Sequence, residues 1–496
     1  MKKKSLTLSI LLILLFVFGF SRNANCQAPY QATGIKIGEV SQHSAIVWTR
    51  LTKNAERNIG RIPFKMIKGK KSKENPEHFI YSEPQIPEGH SLDEMQNVVP
   101  GSKGQVRVQY WVKEKKETTL KSTPWENADP EKDFTRQFSL KDLEPWTEYE
   151  LVTDCRKDEN SPVSEEGKIL GNFKTPPEAE DAEPLKFSII TCQAYYQRDD
   201  SLNGHKIYNV LNGFNPDFFV MTGDIVYYDR LGPVATSKEL ARFKWNRMYS
   251  LPFQREFHKH VSSYFEKDDH DTWQDDCWPT MKNDRMGDFT FKDGQEIFLE
   301  QVPITKQTYR TLRWGKNLQF WLVEGRDFRS PNTMPDGPEK TIWGNEQKEW
   351  FKKTVQESDA TFKILISPTP LVGPDRESKN DNLANEGFKY EGDELRQFIS
   401  RQKNMFVVTG DRHWQYVSVD PLTGLKEFAT GATTDQHAGG FTMDQREPMQ
   451  LYLNIVGGFL WGTIERKDGK PVLTFRHYSV DGKILHEETM IADQRK

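Results

Sequence analysis

Five short runs constrain this chain most: "LKFSIITC", "DFFVMTGD", "LQFWLVEGRD", "FKILISPTP" and "MFVVTGD" are apolar without polar alternation. A strand that is apolar on both faces is buried on both faces, as where helices cover a largely parallel sheet. The segments between the runs carry helical spacing; "SLNGHKIYNVLNGF" is one, and "NEQKEWFKKTVQES" opens near Asn345 as a cap. Residues 185–490 therefore read as an α/β unit.

In such folds ligands sit beyond the carboxyl ends of the strands, where Cys192, Asp224, Asp327 and Asp411 fall. Two ends repeat each other. "VMTGDIVYYDR" (220–230) and "MFVVTGDRHW" (405–414) both close an apolar run with Thr-Gly-Asp. A single Gly-Asp after a strand is ordinary turn or cap chemistry. Two of them, with a cysteine ending and His413 nearby, point to a shared site. Carboxylates gathered at one sheet edge repel unless a cation neutralises them, and Asp, His, Tyr and Cys make a mixed oxygen, nitrogen and sulfur donor set. Between these ends "FEKDDHDTWQDDCW" (265–278) surrounds His270 with acids, and its aromatics argue that the loop packs.

Residues 30–175 read as an all-β domain. "GIKIGEV", "SAIVWTR" and "VRVQYWV" alternate with period two, and "LKDLEPWTEYELVTD" places Tyr149 as in the tyrosine corner of an immunoglobulin or fibronectin-type sandwich. A Gly/Pro/Lys/Glu-rich stretch, 54–103, is an insertion in it. The prolines and acids of "TPPEAEDAEP" mark 176–184 as a linker.

The N-terminus pairs three lysines with a short apolar run, the pattern of a cleaved signal peptide over residues 1–26. Export, periplasmic or secreted, follows, with Cys26 as an alternative lipid anchor and no transmembrane span after cleavage. Removal takes away four basic residues and no acid, so the formal charge falls from −4 to −8. An acidic exported protein has no electrostatic footprint for nucleic acid. The basic cluster at 65–74 sits among Gly, Ser and Pro and reads as a solvated loop. Three cysteines beyond Cys26, widely spaced, do not form a disulfide framework.

"TC" (191–192), "GDIVYYD" (223–229), "DDHD" (268–271) and "TGDRHW" (409–414) together resemble, in order and spacing, the motifs of PhoD-like alkaline phosphatases within the calcineurin-like metallophosphoesterases. The resemblance implies a metallophosphoesterase αββα sandwich behind the β-sandwich domain, and hydrolysis of small-molecule or polymeric phosphate esters. It further implies Fe(3+) beside Ca(2+), with zinc, manganese or magnesium as other ions for the same donors. Cys192, Asp224, Tyr227 and Asp411 match the iron ligands. His413 and a residue after "DDHD" match the neighbouring metal site; the family has Asn there and this chain offers Asp275 or Asp276.

On this reading His270 protonates the leaving group or steadies its charge. Arg326 either clamps phosphate through its planar fork or pairs with Asp327. A phosphodiesterase would use the same metals. A calcium-dependent binding protein is the competing class, against which Cys192 and Tyr227 stand as poor calcium ligands.

Overall fold

The computed structural model describes residues 28–71, 79–81, 83–376 and 378–493. The segment expected to be a signal peptide, and Cys26 with it, lies outside the described residues. Among those described, no helix is long and apolar enough to cross a membrane.

Two large sheets stack face to face. The five apolar runs, joined by Ser262–Glu266, form parallel strands: Leu185–Ile190, Phe218–Thr222 and Ser262–Glu266 in the first sheet, Leu318–Leu322, Phe362–Ser367 and Met405–Thr409 in the second. Their facing sides share one core, in which the Phe218 ring stacks on Phe187 at 4.9 Å and on Phe320 at 5.0 Å. Their outer sides are covered as well. Helices Lys206–Phe214 and Lys238–Tyr249 pack on the first sheet, and Gly344–Glu357 and Lys389–Ser400 on the second. Burial on both faces explains the absence of alternation, and the expected αββα sandwich is what forms. One detail differs. The helix expected to be capped near Asn345 starts at Gly344, whose φ of +69° turns the chain into it, and Asn345 lies inside the first turn.

The N-terminal β region contributes a further sheet of Ile169–Lys174, Glu148–Arg156, Gln105–Val112 and Lys121–Ser122. The tyrosine corner is present: the Glu144 N–H donates to the Tyr149 phenol at 2.8 Å. The opposing strands, Ile35–Gly38, Ser44–Arg50 and Thr135–Lys141, are also the end of the first large sheet, which has nine strands. Ile37 pairs in parallel with Ser262, so backbone hydrogen bonding runs from the sandwich into the strand that leads to Asp268. Residues 176–184 are tied down where they pass, Lys316 N–H donating to Asp181 O at 2.7 Å and Asn317 to Glu183 O at 2.6 Å.

The described part of residues 54–103 packs on the Lys238–Tyr249 helix through Met95 and Val98 against Phe243. The Gln85 side chain grips both backbone groups of Val234, at 2.8 and 2.7 Å. It braces the loop that follows Tyr227–Asp229. Cys155, Cys192 and Cys277 are buried and free, as their spacing predicts.

Candidate metal centre

The two Thr-Gly-Asp ends meet because glycine lets them. A Cβ on Gly410 would lie 2.4 Å from Thr222 Oγ1 and 2.7 Å from Thr222 O, so any side chain there would hold the sheets apart. The Asp411 N–H then donates to Thr191 Oγ1 at 3.2 Å across the two sheets. Cys192, Asp224 and Asp411 have φ of +55°, +55° and +60°. Left-handed backbone is costly for residues with a Cβ, and all three adopt it at the end of a strand.

Asp224 is the focus. Cys192 Sγ lies 3.3 Å from its Oδ2, and the Tyr227 hydroxyl donates to the same oxygen at 3.0 Å. His413 completes a group with Cys192 and Asp224 whose donor atoms all lie within 4.8 Å. Asp224, Asp269 and His270 form an adjoining group by the same measure, and Asp269, Asp275 and Asp276 a third. Asp224 Oδ1 is buried with no hydrogen-bond partner. Such an orphaned acceptor among soft and hard donors fits a cation.

The electrostatics agree. Burial first, then Asp269 and Asp268, push the Asp224 carboxyl up to about 7 against the opposing pull of His270. Burial and Asp224 raise the Cys192 thiol and the Tyr227 phenol well above their usual ranges. These groups lose protons readily only if a positive charge joins them. Burial, His437 and Arg412 hold His413 well below the usual imidazole range, leaving it neutral as a ligand must be. His270 is the opposite case. Burial disfavours its charge, but Asp229, Asp269 and Asp224 overcome it and raise its pKa well above normal; Nδ1 lies 2.8 Å from Asp229 Oδ1.

Other expected residues sit differently. Asp411 lies next to the cluster with its carboxylate against the Arg412 guanidinium, outside the three groups. Asp275 is 57% exposed, with Oδ1 3.6 Å from His270 Nε2. Asp276 bonds Lys379 at 2.7 Å and donates its N–H to Asp269 Oδ2 at 2.6 Å. Arg326 has no solvent exposure and donates through Nε to Asp268, so a buried counter-ion stands where an open phosphate clamp was expected. It does not pair with Asp327, which bonds Lys267 at 2.6 Å and Gln295 at 2.7 Å, away from the cluster.

Two residues were not singled out from the sequence. His437 places Nδ1 3.1 Å from Cys192 O and Nε2 3.4 Å from the Tyr227 hydroxyl, its ring 4.0 Å from that of His413. It follows Lys426–Thr430, a strand too polar at its start to read as an apolar run. Asp229 stood inside the quoted "GDIVYYD", but only the fold brings it to His270.

A family model described as PhoD-like phosphatase matches residues 187–454. No curated protein matches the sequence. Among solved structures, one described as the structure of PhoD aligns with a TM-score of 0.69 at 15% identity, covering 94% of this chain and 89% of its own. Purple acid phosphatase PPD1 from yellow lupin (Lupinus luteus) seeds aligns with a TM-score of 0.63 at 13% identity, covering 94% and 75%. At such identities the structures speak for the fold, while the family match spans more than half of the chain. With its clustered metal-type donors at the ends of the paired sheets, the chain belongs to the PhoD-like phosphatase family and is a phosphoric ester hydrolase of the metallophosphoesterase fold.

Proposed function

We propose that the enzyme is an exported phosphomonoesterase. Its metal centre is built on Cys192, Asp224, Tyr227, Asp411 and His413; the acids after "DDHD", Asp275 and Asp276, border it without being counted among its ligands. The observation that supports this best is the meeting of thiol, phenol and imidazole around one orphaned carboxylate, Asp224. Thiolate and phenolate suit Fe(3+), and the carboxylates beside them suit Ca(2+), zinc, manganese or magnesium. When bound, such ions supply Lewis acidity to a phosphoryl group and lower the pKa of water.

The chain's own residues do the remaining work. Asp224, shared by two adjoining donor groups, sets the spacing of what they hold. Asp229 fixes the His270 ring through Nδ1 and favours its protonated form, so Nε2 carries a proton for a leaving alkoxide. Arg326 offsets the charge of Asp268 and Asp269 from behind. The Thr-Gly-Asp motif supports Asp411 as a ligand.

The test is a comparison of p-nitrophenyl phosphate with bis-p-nitrophenyl phosphate. Monoester hydrolysis with the higher kcat/KM, lost in Asp224→Ala, is the expected result. A preference for the diester would make the enzyme a phosphodiesterase, and activity on neither would refute the phosphomonoesterase reading. Export is tested by intact mass: the exported protein should begin at Gln27, Ala28 or Pro29, and retention of Met1 would refute cleavage.

A further inference from the structure

We propose that Lys379 occupies the Asp269–Asp275–Asp276 group as a built-in cation, so that this chain fills the position with its own ammonium and not with a metal ion. The inference deepens the metal-centre reading above and rests on it. The three carboxylates bring donor atoms within 4.8 Å of one another, as a divalent site would. But Lys379 Nζ lies 2.7 Å from Asp276 Oδ1 and 4.0 Å from Asp381 Oδ2. The lysine side chain is only 19% exposed, and Asp381 is buried.

A lysine ammonium is ordinarily charged at neutral pH, so it answers the acids it faces without a metal. Asp276 is also committed through its backbone, whose N–H donates to Asp269 Oδ2 at 2.6 Å. A divalent ion at Asp276 would sit within a few ångströms of the ammonium, and two like charges so close in a partly buried site repel strongly. Lys379 must therefore leave before a metal can enter. Asp269 Oδ1, buried without a hydrogen-bond partner, remains for the neighbouring group with Asp224 and His270. The acid after "DDHD" is thereby explained as the partner of Lys379.

The experiment counts metal. Wild type, Lys379→Met, Lys379→Arg, Asp276→Asn and the Lys379→Met/Asp276→Asn double variant are loaded with Ca(2+) and Mn(2+). Bound ions are measured by elemental analysis and by calorimetric titration. Lys379→Met should bind about one more ion per chain than wild type, because Asp276 loses its counter-ion and the Asp269–Asp275–Asp276 group is left without the ammonium beside it. Lys379→Arg should keep the wild-type count, and the double variant should fall back towards it. Asp276→Asn alone should also keep the wild-type count, since Asp276 holds no metal in the native protein. An unchanged count in Lys379→Met overturns the proposal. So does the loss of an ion from Asp276→Asn, an arm that decides even if Lys379→Met does not fold. Failure of the underlying reading has a separate signature: a wild-type protein that loses no ion when Cys192→Ser or Asp224→Ala is introduced.

Discussion

The thiol of Cys192 lies 3.3 Å from Asp224 Oδ2, although the two residues end different strands and stand 32 positions apart. Tyr227 donates to the same oxygen at 3.0 Å. If Fe(3+) is held here, the protein should absorb in the visible through its thiolate or phenolate. Tyr227→Phe keeps the ring's packing and removes only the oxygen, so it should bleach or shift the band. Cys192→Ser should fold and retain iron poorly. A colourless, active protein indifferent to both changes would refute the iron assignment.

Asp224 and Asp411 are proposed to serve one centre. Either alanine substitution should lower kcat by about 10³-fold or more, and the double variant should be little worse, as for residues acting as a unit. Near-normal turnover with full metal content in Asp411→Ala would remove Asp411 from the centre and leave its carboxylate as the partner of Arg412.

His270 should matter most for poor leaving groups. p-Nitrophenolate departs without a proton, whereas an alkoxide needs one. His270→Ala should therefore slow an alkyl phosphate about 10²-fold or more beyond its effect on p-nitrophenyl phosphate. Equal losses would point to a structural role or to metal binding through the group it forms with Asp224 and Asp269.

The metal-stripped protein should lose stability as pH rises. Burial, then Asp269 and Asp268, raise the folded Asp224 carboxyl from 3.8 to about 7. A carboxyl raised in this way favours the folded state below its unfolded pKa, and that contribution disappears as pH climbs through the folded value. The gap corresponds to about 4 kcal/mol. Melting of EDTA-treated protein should fall between about pH 4 and pH 7, and Asp224→Asn should flatten the fall. Parallel profiles for wild type and Asp224→Asn would contradict this.

Gly410 is the contact point of the two repeated motifs. Gly410→Ala would put a methyl carbon 2.4 Å from Thr222 Oγ1 and 2.8 Å from Pro368 O. Relief requires the sheets to separate, at a cost of about 1–3 kcal/mol. Thermal melting should show a clear drop, with weaker metal retention. An unchanged midpoint would mean that the interface yields locally.

Much of this protein was legible in its sequence because burial on both faces of a strand leaves a one-dimensional trace. The apolar runs ending at Cys192, Asp224 and Asp411 set the α/β layers, and the spacing around Tyr149 set the corner of the sandwich. Residue type also carried the donor chemistry of the Asp224 cluster, since strand ends collect at one edge whatever their order. What depended on side-chain direction and on contacts between distant segments was decided only in three dimensions. The pairing of Ile37 with Ser262 joins sandwich and catalytic sheet through backbone bonds that any residue can make, so no residue type announces it. Arg326 turned inward because Asp268 offered a buried partner, while Lys267 claimed Asp327. His437 reaches Cys192 from a loop more than 200 residues away, and Lys379 reaches Asp276 across about 100. Charges choose partners by proximity after the backbone has closed, and proximity of that kind has no period in the sequence.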